Sequence, residues 1–187
     1  MSKVPEEAGG LPGAFVARSQ LLRRDDVGRA IRRMAHEVVE RNADGCELVI
    51  LGLQAGGVPI ANQLGAAILA IGDVDVKLGY LDVAYFRDDH LRRPLTEARG
   101  TLIPTDLTDQ TVLLVDDVLY TGRTIRAALN ALAEWGRPRA IELAVLVDRG
   151  HRELPIRADF VGKNLPTSSH EAIVATIDGV WIGEETS

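Results

Sequence analysis

The sequence has little of several residue types, and each shortage excludes a class of protein. A single cysteine in 187 residues excludes an intrachain disulfide framework, and a hydrophobic fraction of 46% is enough to build a packed core without one. Aromatic residues make up only 4%, which argues against binding of single strands by base stacking. The net charge of −6 means that any contact with nucleic acid needs a local basic surface.

Long apolar runs and the two commonest nucleotide-binding motifs are also missing. Residues 1–15 hold two glutamates and no apolar core of a secretory signal, so the sequence predicts a cytoplasmic protein that makes no membrane contact. Neither G-x-G-x-x-G nor G-x-x-x-x-G-K-[ST] occurs, which disfavours dinucleotide-binding and P-loop folds. We expect one domain over residues 1–187, with residues 1–19 loosely ordered.

The segment from Val112 to Thr124 carries the strongest positive signal. Val112 to Val115 is an apolar run typical of a strand buried on both faces of a parallel sheet, and Asp116 and Asp117 follow where we expect the strand to end. Hydroxyls and backbone N–H groups at the start of the next helix suit a phosphate monoester. The carboxylates would then lie about one sugar length away, placed for ribose hydroxyls or hydrated Mg²⁺. The alternative is a polar turn in an ordinary crossover.

Strand and helix patterns alternate along the chain, which predicts an α/β fold with a doubly wound, mostly parallel sheet. Ala55-Gly56-Gly57 follows a second apolar strand, Leu48 to Leu53, and its glycines suit either a close ligand or a tight turn. Residues 148–150 end another strand, and residues 157–161 are predicted as a short one. Ligands of such folds bind beyond the carboxyl ends of the strands, so these loops should share one crevice. Ala172 to Ile182 has the pattern of a hairpin.

Two charged segments each have two interpretations. Residues 86–104 are polar and too long for a tight turn, so they form either a lid over the crevice or a solvated excursion. Residues 25–41 have the pattern of an amphipathic helix capped by Asp25 or Asp26. Its polar face is either a solvated surface or a basic contact surface. That face carries Arg29, Arg32 and Arg33.

Residues 112–124 resemble the phosphoribosyl pyrophosphate signature of the type I phosphoribosyltransferases. Residues 81–89, 143–155 and 157–168 further resemble one subfamily, the bifunctional pyrimidine-operon attenuation proteins with uracil phosphoribosyltransferase activity. The resemblance implies a doubly wound sheet with a small hood and a long flexible lid. It implies conversion of uracil and phosphoribosyl pyrophosphate to UMP and pyrophosphate with Mg²⁺. It also implies UMP-dependent binding to a leader messenger RNA by a homodimer or homotetramer.

The resemblance assigns a role to each matching residue. Asp116 and Asp117 would hold the ribose hydroxyls and organise Mg²⁺ through water, and Arg87 would act with the lid over the leaving pyrophosphate. Arg29, Arg32 and Arg33 would contribute to the RNA-binding surface. The remaining substrate-binding residues would be Val118, Leu119, Tyr120, Thr121, Gly122, Arg123 and Thr124 for the phosphate, Ala55, Gly56 and Gly57 for pyrophosphate, and Arg149, Val161, Gly162 and Lys163 for uracil.

The chain departs from the family pattern at the pyrophosphate turn. Ala55-Gly56-Gly57 stands where the family usually has Thr-Arg-Gly, so a hydroxyl and a guanidinium are missing. Loss of a charged hydrogen bond costs about 1.5–3 kcal/mol if nothing replaces it. A second hypothesis is therefore a UMP-sensing RNA-binding regulator with weak or no transferase activity.

A third hypothesis comes from the same apolar strand. The run VLLVDD also resembles the acidic strand of a two-component receiver domain. In receivers that strand lies near the start of the fold, whereas here it begins at residue 112 and is followed by Tyr-Thr-Gly-Arg-Thr. The receiver hypothesis is therefore the weakest of the three.

Overall fold

The computed structural model describes residues 14–43, 47–72, 74–86 and 100–186, which form two β-sheets and the helices packed on them. The strands are β1 (Ala14–Arg23), β2 (Leu48–Leu53), β3 (Val76–Leu81), β4 (Thr111–Leu119), β5 (Ala140–Asp148), β6 (Phe160–Asn164), β7 (Ala172–Thr176) and β8 (Gly179–Thr186). The helices are α1 (Arg24–Arg41), α2 (Gly57–Ile71) and α3 (Arg123–Leu132), with a 3-10 turn at Ala84–Phe86.

The larger sheet has the order β3-β2-β4-β5-β6, and all four of its pairings are parallel. Every residue of β2 is buried, as its unbroken apolar sequence predicts. The chain winds from β2 toward β3 on one side and from β4 toward β6 on the other. The direction therefore reverses between β2 and β4, which is where ligands of doubly wound folds bind. The predicted fold class is confirmed.

The helices cover both faces of this sheet because their apolar stripes face it. Helices α1 and α2 pack on one face through residues that include Ile31 and Leu64, and α3 packs on the other through Ile125 and Leu132. Opposite faces are required when two right-handed crossovers run in opposite directions from neighbouring strands. Within the described ranges, no helix is both long enough and apolar enough to span a membrane.

A second, antiparallel sheet of order β1-β8-β7 forms the hood, the name used below for these three strands. The predicted hairpin is its C-terminal part, with Ala172 paired to Gly183 and Thr176 to Gly179. Strand β1 pairs with β8 along its length, from Ala14 opposite Thr186 to Arg23 opposite Gly179. Apolar residues of β7 and β8 join the same core cluster as α1 and β4. The hairpin therefore packs on its own chain.

The predicted loose start over residues 1–19 is wrong for residues 14–19, which lie in β1. Strand β1 alternates irregularly and contains two register shifts, so its own sequence gives a weak strand signal. Its partner lies at the other end of the chain, and pairing over that separation has no local signature. Residues 1–13 lie outside the described residues.

Three further boundaries differ from the sequence prediction. Strand β4 continues through Asp116 and Asp117 to Leu119, because Asp116, Val118 and Leu119 keep their pairing with β5. Strand β6 begins at Phe160 and includes Gly162 and Lys163, so the prediction over residues 157–161 was displaced. Helix α1 begins at Arg24, and neither Asp25 nor Asp26 is its N-cap. Arg23 is the N-cap, and its amide donates to Asp26 at 3.0 Å.

Candidate functional site

The candidate site is the edge of the larger sheet where β2 and β4 end side by side. Two segments leave this edge: residues 54–57, called here the glycine turn, and residues 120–124, called the phosphate loop. The glycine turn leads into α2 and the phosphate loop into α3, so the N-termini of both helices lie beside the crevice. The positive ends of two helix dipoles favour an anion between them. The structure thus brings two of the predicted loops together.

Asp116 and Asp117, called here the acid pair, lie near the C-terminal end of β4, beside this crevice. The Asp116 carboxylate accepts a hydrogen bond from the amide of Asp117 at 3.0 Å, and Asp117 Oδ1 accepts one from the amide of Val118 at 2.7 Å. Burial raises the pKa of Asp117 above its usual range, while hydrogen bonds from the Val118 amide and with the Asp116 side chain oppose the shift. A carboxylate that is costly to ionise when alone is suited to gaining a cation or a hydroxyl donor as a partner.

The two glycines of the glycine turn are required by packing against β4. A Cβ on Gly56 would lie 2.1 Å from Asp117 Oδ2, and one on Gly57 would lie 2.2 Å from the carbonyl oxygen of Val115. Both distances are far inside van der Waals contact, so the turn can approach β4 only because these side chains are absent. The structure favours the tight-turn interpretation. It also shows that the Asp117 carboxylate lies over Gly56.

The phosphate loop turns into α3 at a glycine in the left-handed conformation. Gly122 is the N-cap of α3 with φ of 92°, a left-handed conformation that strongly favours glycine. Thr121 Oγ1 accepts a hydrogen bond from the amide of Arg123 at 3.3 Å. The Arg123 guanidinium is paired with Glu153 Oε2 at 2.6 Å, so its side chain points toward that carboxylate. Leu119 is buried within β4, which leaves backbone groups as its means of contacting a ligand.

The segment after β5 braces this loop, a role that the sequence analysis did not predict for it. Residues 149–156, called here the strap, follow β5 and run behind the phosphate loop. The amides of Glu153 and Leu154 both donate to the carbonyl of Thr121, at 3.0 and 3.2 Å. The Arg152 guanidinium contacts the loop from the same side, at Tyr120 O. No local sequence signal predicts this bracing, although Asp148 and Arg152 form an ion pair within the segment.

Arg149 is buried and acts on the surroundings of the crevice. Its guanidinium lies 4.1 Å from the centre of the Tyr120 ring and donates to Thr167 Oγ1 at 3.0 Å. It also donates to the carbonyls of Ser168 and Glu171. Burial lowers the pKa of Arg149, and nearby acidic groups oppose that shift. Arg149 therefore holds the Tyr120 ring against residues 167–171.

The residues predicted for the uracil pocket make their polar contacts with two different parts of the chain. The carbonyls of Val161 and Gly162 accept hydrogen bonds from Arg33 Nη2, at 3.1 and 2.6 Å. Lys163 is exposed at the edge of the larger sheet. Arg149 makes its polar contacts with residues 167–171 instead. The structure thus ties β6 to α1 at this point.

The base of the predicted lid is described on both sides. Leu102 pairs with Tyr80 in an antiparallel bridge, and the amide of Asp82 donates to Thr101 Oγ1 at 3.1 Å. Gln54 of the glycine turn donates to the carbonyl of Gly100 at 3.5 Å. The returning end of this segment therefore contacts the glycine turn. Arg87 and the lid residues up to 99 lie outside the described residues.

The three arginines predicted to bind RNA are exposed on one face of α1, and two of them have acidic partners. Arg29 pairs with Asp26 one turn earlier, and Arg33 pairs with Glu37 at 2.8 Å. Arg32 has no ion pair within the described residues. A groove of about 360 Å³ runs between α1 and β6, and Lys163 adds a further cation to it. The basic surface is therefore partly neutralised on α1 and extended by β6.

Comparison with known proteins identifies the family. Residues 17–178 match the phosphoribosyl transferase domain. The Bifunctional protein PyrR of Roseiflexus sp. is 52% identical over 176 residues, which cover 90% of this chain and 96% of that protein. The PyrR protein of Clostridioides difficile is 50% identical over 165 residues, covering 87% and 93%. This chain belongs to the bifunctional PyrR family of phosphoribosyltransferases. The resemblance inferred from sequence and the enzyme class are confirmed.

Solved structures show the same fold at much lower identity. The hypoxanthine phosphoribosyltransferase of Trypanosoma cruzi matches with a TM-score of 0.70 and 17% identity, covering 91% of this chain and 98% of that one. A hypoxanthine phosphoribosyltransferase from Staphylococcus aureus matches with a TM-score of 0.67 and 18% identity, covering 91% and 93%. The chain therefore has the fold of these phosphoribosyltransferases, and the receiver hypothesis is rejected.

Proposed function

We propose that this protein is a uracil phosphoribosyltransferase that also regulates pyrimidine biosynthesis through UMP-dependent binding to a leader messenger RNA. One observation carries the proposal. In a chain of the PyrR family, the acid pair and the amides of the phosphate loop lie together where the winding of the sheet reverses. That arrangement suits a phosphorylated pentose, which both phosphoribosyl pyrophosphate and UMP contain.

The proposed reaction separates charge, and the residues of the site match that separation. Positive charge develops on the ribose ring as the bond to pyrophosphate breaks, so carboxylates of the acid pair stabilise it from close range. The amides of the phosphate loop and the N-terminus of α3 hold the 5-phosphate in place. Uracil N1 attacks the anomeric carbon and releases its proton to water as the bond from that carbon to pyrophosphate breaks. Pyrophosphate leaves toward the glycine turn and the lid, where Arg87 is proposed to act. No covalent bond to the enzyme is needed.

The acid pair is also the proposed site of Mg²⁺. No cluster of three or more acidic, histidine or cysteine side chains occurs in the described part of the chain, so the protein alone offers only two carboxylates. That donor set fits Mg²⁺, which keeps several waters and takes its remaining ligands from substrate phosphates. Bound Mg²⁺ would supply charge neutralisation for the leaving pyrophosphate.

RNA binding is proposed on the basic face of α1. Arg32 and Lys163 are exposed cations on either side of the arginines that carry acidic partners. Exposed ion pairs are worth about 0–1 kcal/mol, so phosphates can compete for Arg29 and Arg33. We propose that this regulation takes place in the cytoplasm.

A homodimer or homotetramer is proposed from the surface of α2. This helix has no charged residue, and Ala66, Leu69 and Ala70 of its sequence are exposed. Leu78 on the neighbouring edge strand is also 37% exposed. A helix that is apolar on its outer side is normally covered by another surface. A second copy of the chain is the proposed cover, and sedimentation of the purified protein measures it.

A second candidate function is favoured by the glycine turn. This turn lacks the hydroxyl and guanidinium that the family usually carries, and the Asp117 carboxylate lies over Gly56, where a longer side chain would be. These features would weaken pyrophosphate binding and leave the phosphate loop unchanged. The protein would then sense UMP and bind RNA with weak or no transferase activity.

Formation of labelled UMP from uracil tests the two candidates. We expect the purified protein with Mg²⁺ and phosphoribosyl pyrophosphate to form UMP, and Asp116→Asn to abolish most of the product. Binding of UMP with no detectable product would support the sensor instead. Failure of the protein to bind either UMP or phosphoribosyl pyrophosphate would contradict both candidates.

Salt-dependent RNA binding tests the regulatory half of the proposal. Replacing Arg29, Arg32 and Arg33 by Gln should weaken leader RNA binding and flatten its dependence on salt, because fewer counterions are released. Asp109→Asn is the control, because it removes one negative charge from a loop away from α1. Each arginine replacement instead removes one positive charge. Unchanged affinity in the triple variant would remove this face of α1 from the RNA site.

A further inference from the structure

Arg152 on the strap donates hydrogen bonds to several backbone carbonyls of the phosphate loop and of the strap itself. Its Nη1 donates to the carbonyls of Tyr120 at 2.7 Å, Leu119 at 3.3 Å and Gly150 at 3.2 Å. Its Nε donates to Ile156 at 2.9 Å. Its Nη2 pairs with the carboxylate of Asp148. One guanidinium thus joins the phosphate loop to both ends of the strap.

Asp148 anchors the Arg152 guanidinium, and both side chains are largely buried. The Arg152 side chain is 22% exposed and the Asp148 carboxylate 15% exposed. Asp148 ends β5, and its other oxygen accepts from the amide of Gly150 at 3.0 Å. A planar fork fixed at one end by a carboxylate has little freedom to move at the other. The position of Arg152 is therefore set by the larger sheet, and the phosphate loop is positioned through it.

The direction of these bonds bears on ligand binding. In a planar trans peptide unit, the carbonyl and the N–H of the next residue point to opposite sides. The carbonyls of Leu119, Tyr120 and Thr121 all accept bonds from strap residues. The amides of the following residues, Tyr120 to Gly122, therefore point away from the strap, toward the side where a phosphate would lie.

We infer that Arg152 is a positioning residue that orients the amides of the phosphate loop for the 5-phosphate of the substrate and of UMP. The inference rests on the proposed function and adds a residue to it. Among the residues that the structure describes, the hydrogen bonds of Arg152 go to backbone carbonyls and to Asp148, so it acts through the loop and not on the ligand. Its removal frees the loop to sample conformations in which the three amides diverge. Ordering them again on binding costs affinity.

Arg152→Gln tests the inference, with Arg157→Gln as the matched control. Arg157 lies five residues further along, is exposed, and makes no hydrogen bond or ion pair within the described ranges. We expect Arg152→Gln to weaken UMP and ribose 5-phosphate by about tenfold to a hundredfold, as for loss of charged hydrogen bonds. Binding of pyrophosphate with Mg²⁺, which lacks a 5-phosphate, should stay within about twofold of the unaltered protein. Arg157→Gln should leave all three affinities unchanged.

Kinetics and a conservative variant separate positioning from a general loss of structure. Because the loop holds the same phosphate in substrate and transition state, the KM for phosphoribosyl pyrophosphate should rise while kcat changes little. Arg152→Lys keeps the charge but cannot form the fork, so it should also weaken UMP binding. Unaltered UMP affinity in either variant, or equal losses for ribose 5-phosphate and pyrophosphate, would overturn the inference.

Amide hydrogen exchange of the unaltered protein supplies a test that needs no variant. The amides of Glu153 and Leu154, which donate to Thr121, should exchange more slowly when UMP is bound. Unchanged exchange at both would overturn the inference. Failure of the unaltered protein to bind UMP would contradict the proposed function itself, whereas UMP binding that survives Arg152→Gln would contradict only the role of Arg152.

Discussion

The glycine turn and the phosphate loop are the same unit built twice, a parallel strand that turns directly into a helix, but they present different chemistry. The glycine turn has no hydroxyl or charged side chain, and its glycines face β4 and the Asp117 carboxylate. The phosphate loop carries hydroxyls, a left-handed glycine and a strap that holds its carbonyls from behind. The same topology therefore presents two chemically different helix starts to the crevice. The two segments differ because the strap binds the carbonyls of the phosphate loop from behind, whereas the glycine turn packs directly on β4.

Asp117→Asn should have the largest effect, because Asp117 serves both regions. Losing a charge directed at the transition state costs about 10²–10³ in turnover. The same change should raise thermal stability at pH 7 without ligands, since an amide can still accept from Val118 and no charge is buried. UMP formation and thermal unfolding measure the two effects. A variant that is both less active and less stable would show that Asp117 is mainly structural.

The pH dependence of stability should differ between this variant and the unaltered protein. Burial raises the pKa of Asp117 above its ordinary value of 3.8, so just above that pH the folded state keeps a proton that the unfolded chain has lost. The Asp117 contribution to stability therefore falls as pH rises from 3.8 to the raised pKa. Denaturant unfolding without Mg²⁺ should show the gain from Asp117→Asn growing through this window. A stability gain from Asp117→Asn that stays constant with pH would contradict this prediction.

Gly56→Ala should have the next largest effect and tests the contact between the two regions. A Cβ there would lie 2.1 Å from Asp117 Oδ2, so the carboxylate must move from its position beside the Val118 amide. We expect a loss of about 1–3 kcal/mol in the free energy of unfolding, as for other overpacked sites.

Gly28→Ala is the matched control for this change. Gly28 lies within α1, and its new Cβ would be 3.6 Å from the nearest atom, an arginine tip. This substitution should stabilise the helix by about 0.5–1 kcal/mol. Equal effects of the two substitutions in denaturant unfolding would mean that the turn does not pack closely on Asp117.

Ala55→Thr should have the smallest effect. It gives the glycine turn a hydroxyl, a group that the phosphate loop already has. It returns the hydroxyl that the family usually carries at this position, and a single hydrogen bond is worth about 0.5–1.5 kcal/mol. Pyrophosphate affinity should rise by about twofold to tenfold, with UMP affinity unchanged. Titration calorimetry with each ligand measures both. A gain for UMP as well would show that the two sites are not independent.

The sequence predicted the regular elements near the site because their signals are local. The apolar run at Leu48 to Leu53 coincides with β2, and the phosphate loop was identified from its hydroxyls and glycine. Strand β1 could not be predicted, because it is stabilised by pairing with the other end of the chain. The ion pairs of Arg29 and Arg33 follow helical spacing and were predictable, although the sequence analysis did not use them.

The features that sequence analysis missed depend on backbone atoms of distant segments. Arg152 binds carbonyls of a loop about thirty residues earlier, and nothing in its own neighbourhood indicates which loop it will meet. The contact of Gly56 with Asp117 joins the ends of two strands that are neighbours only in the folded sheet. Both were invisible in the sequence, since a glycine and an arginine have many uses.

A crystal structure of the protein with UMP tests the central claim most directly. We predict that the phosphate lies against the amides of the phosphate loop, with the ribose hydroxyls facing Asp116 and Asp117. The strap carbonyl contacts should be retained in that complex. A UMP phosphate bound at the glycine turn, or on the basic face of α1, would contradict the account.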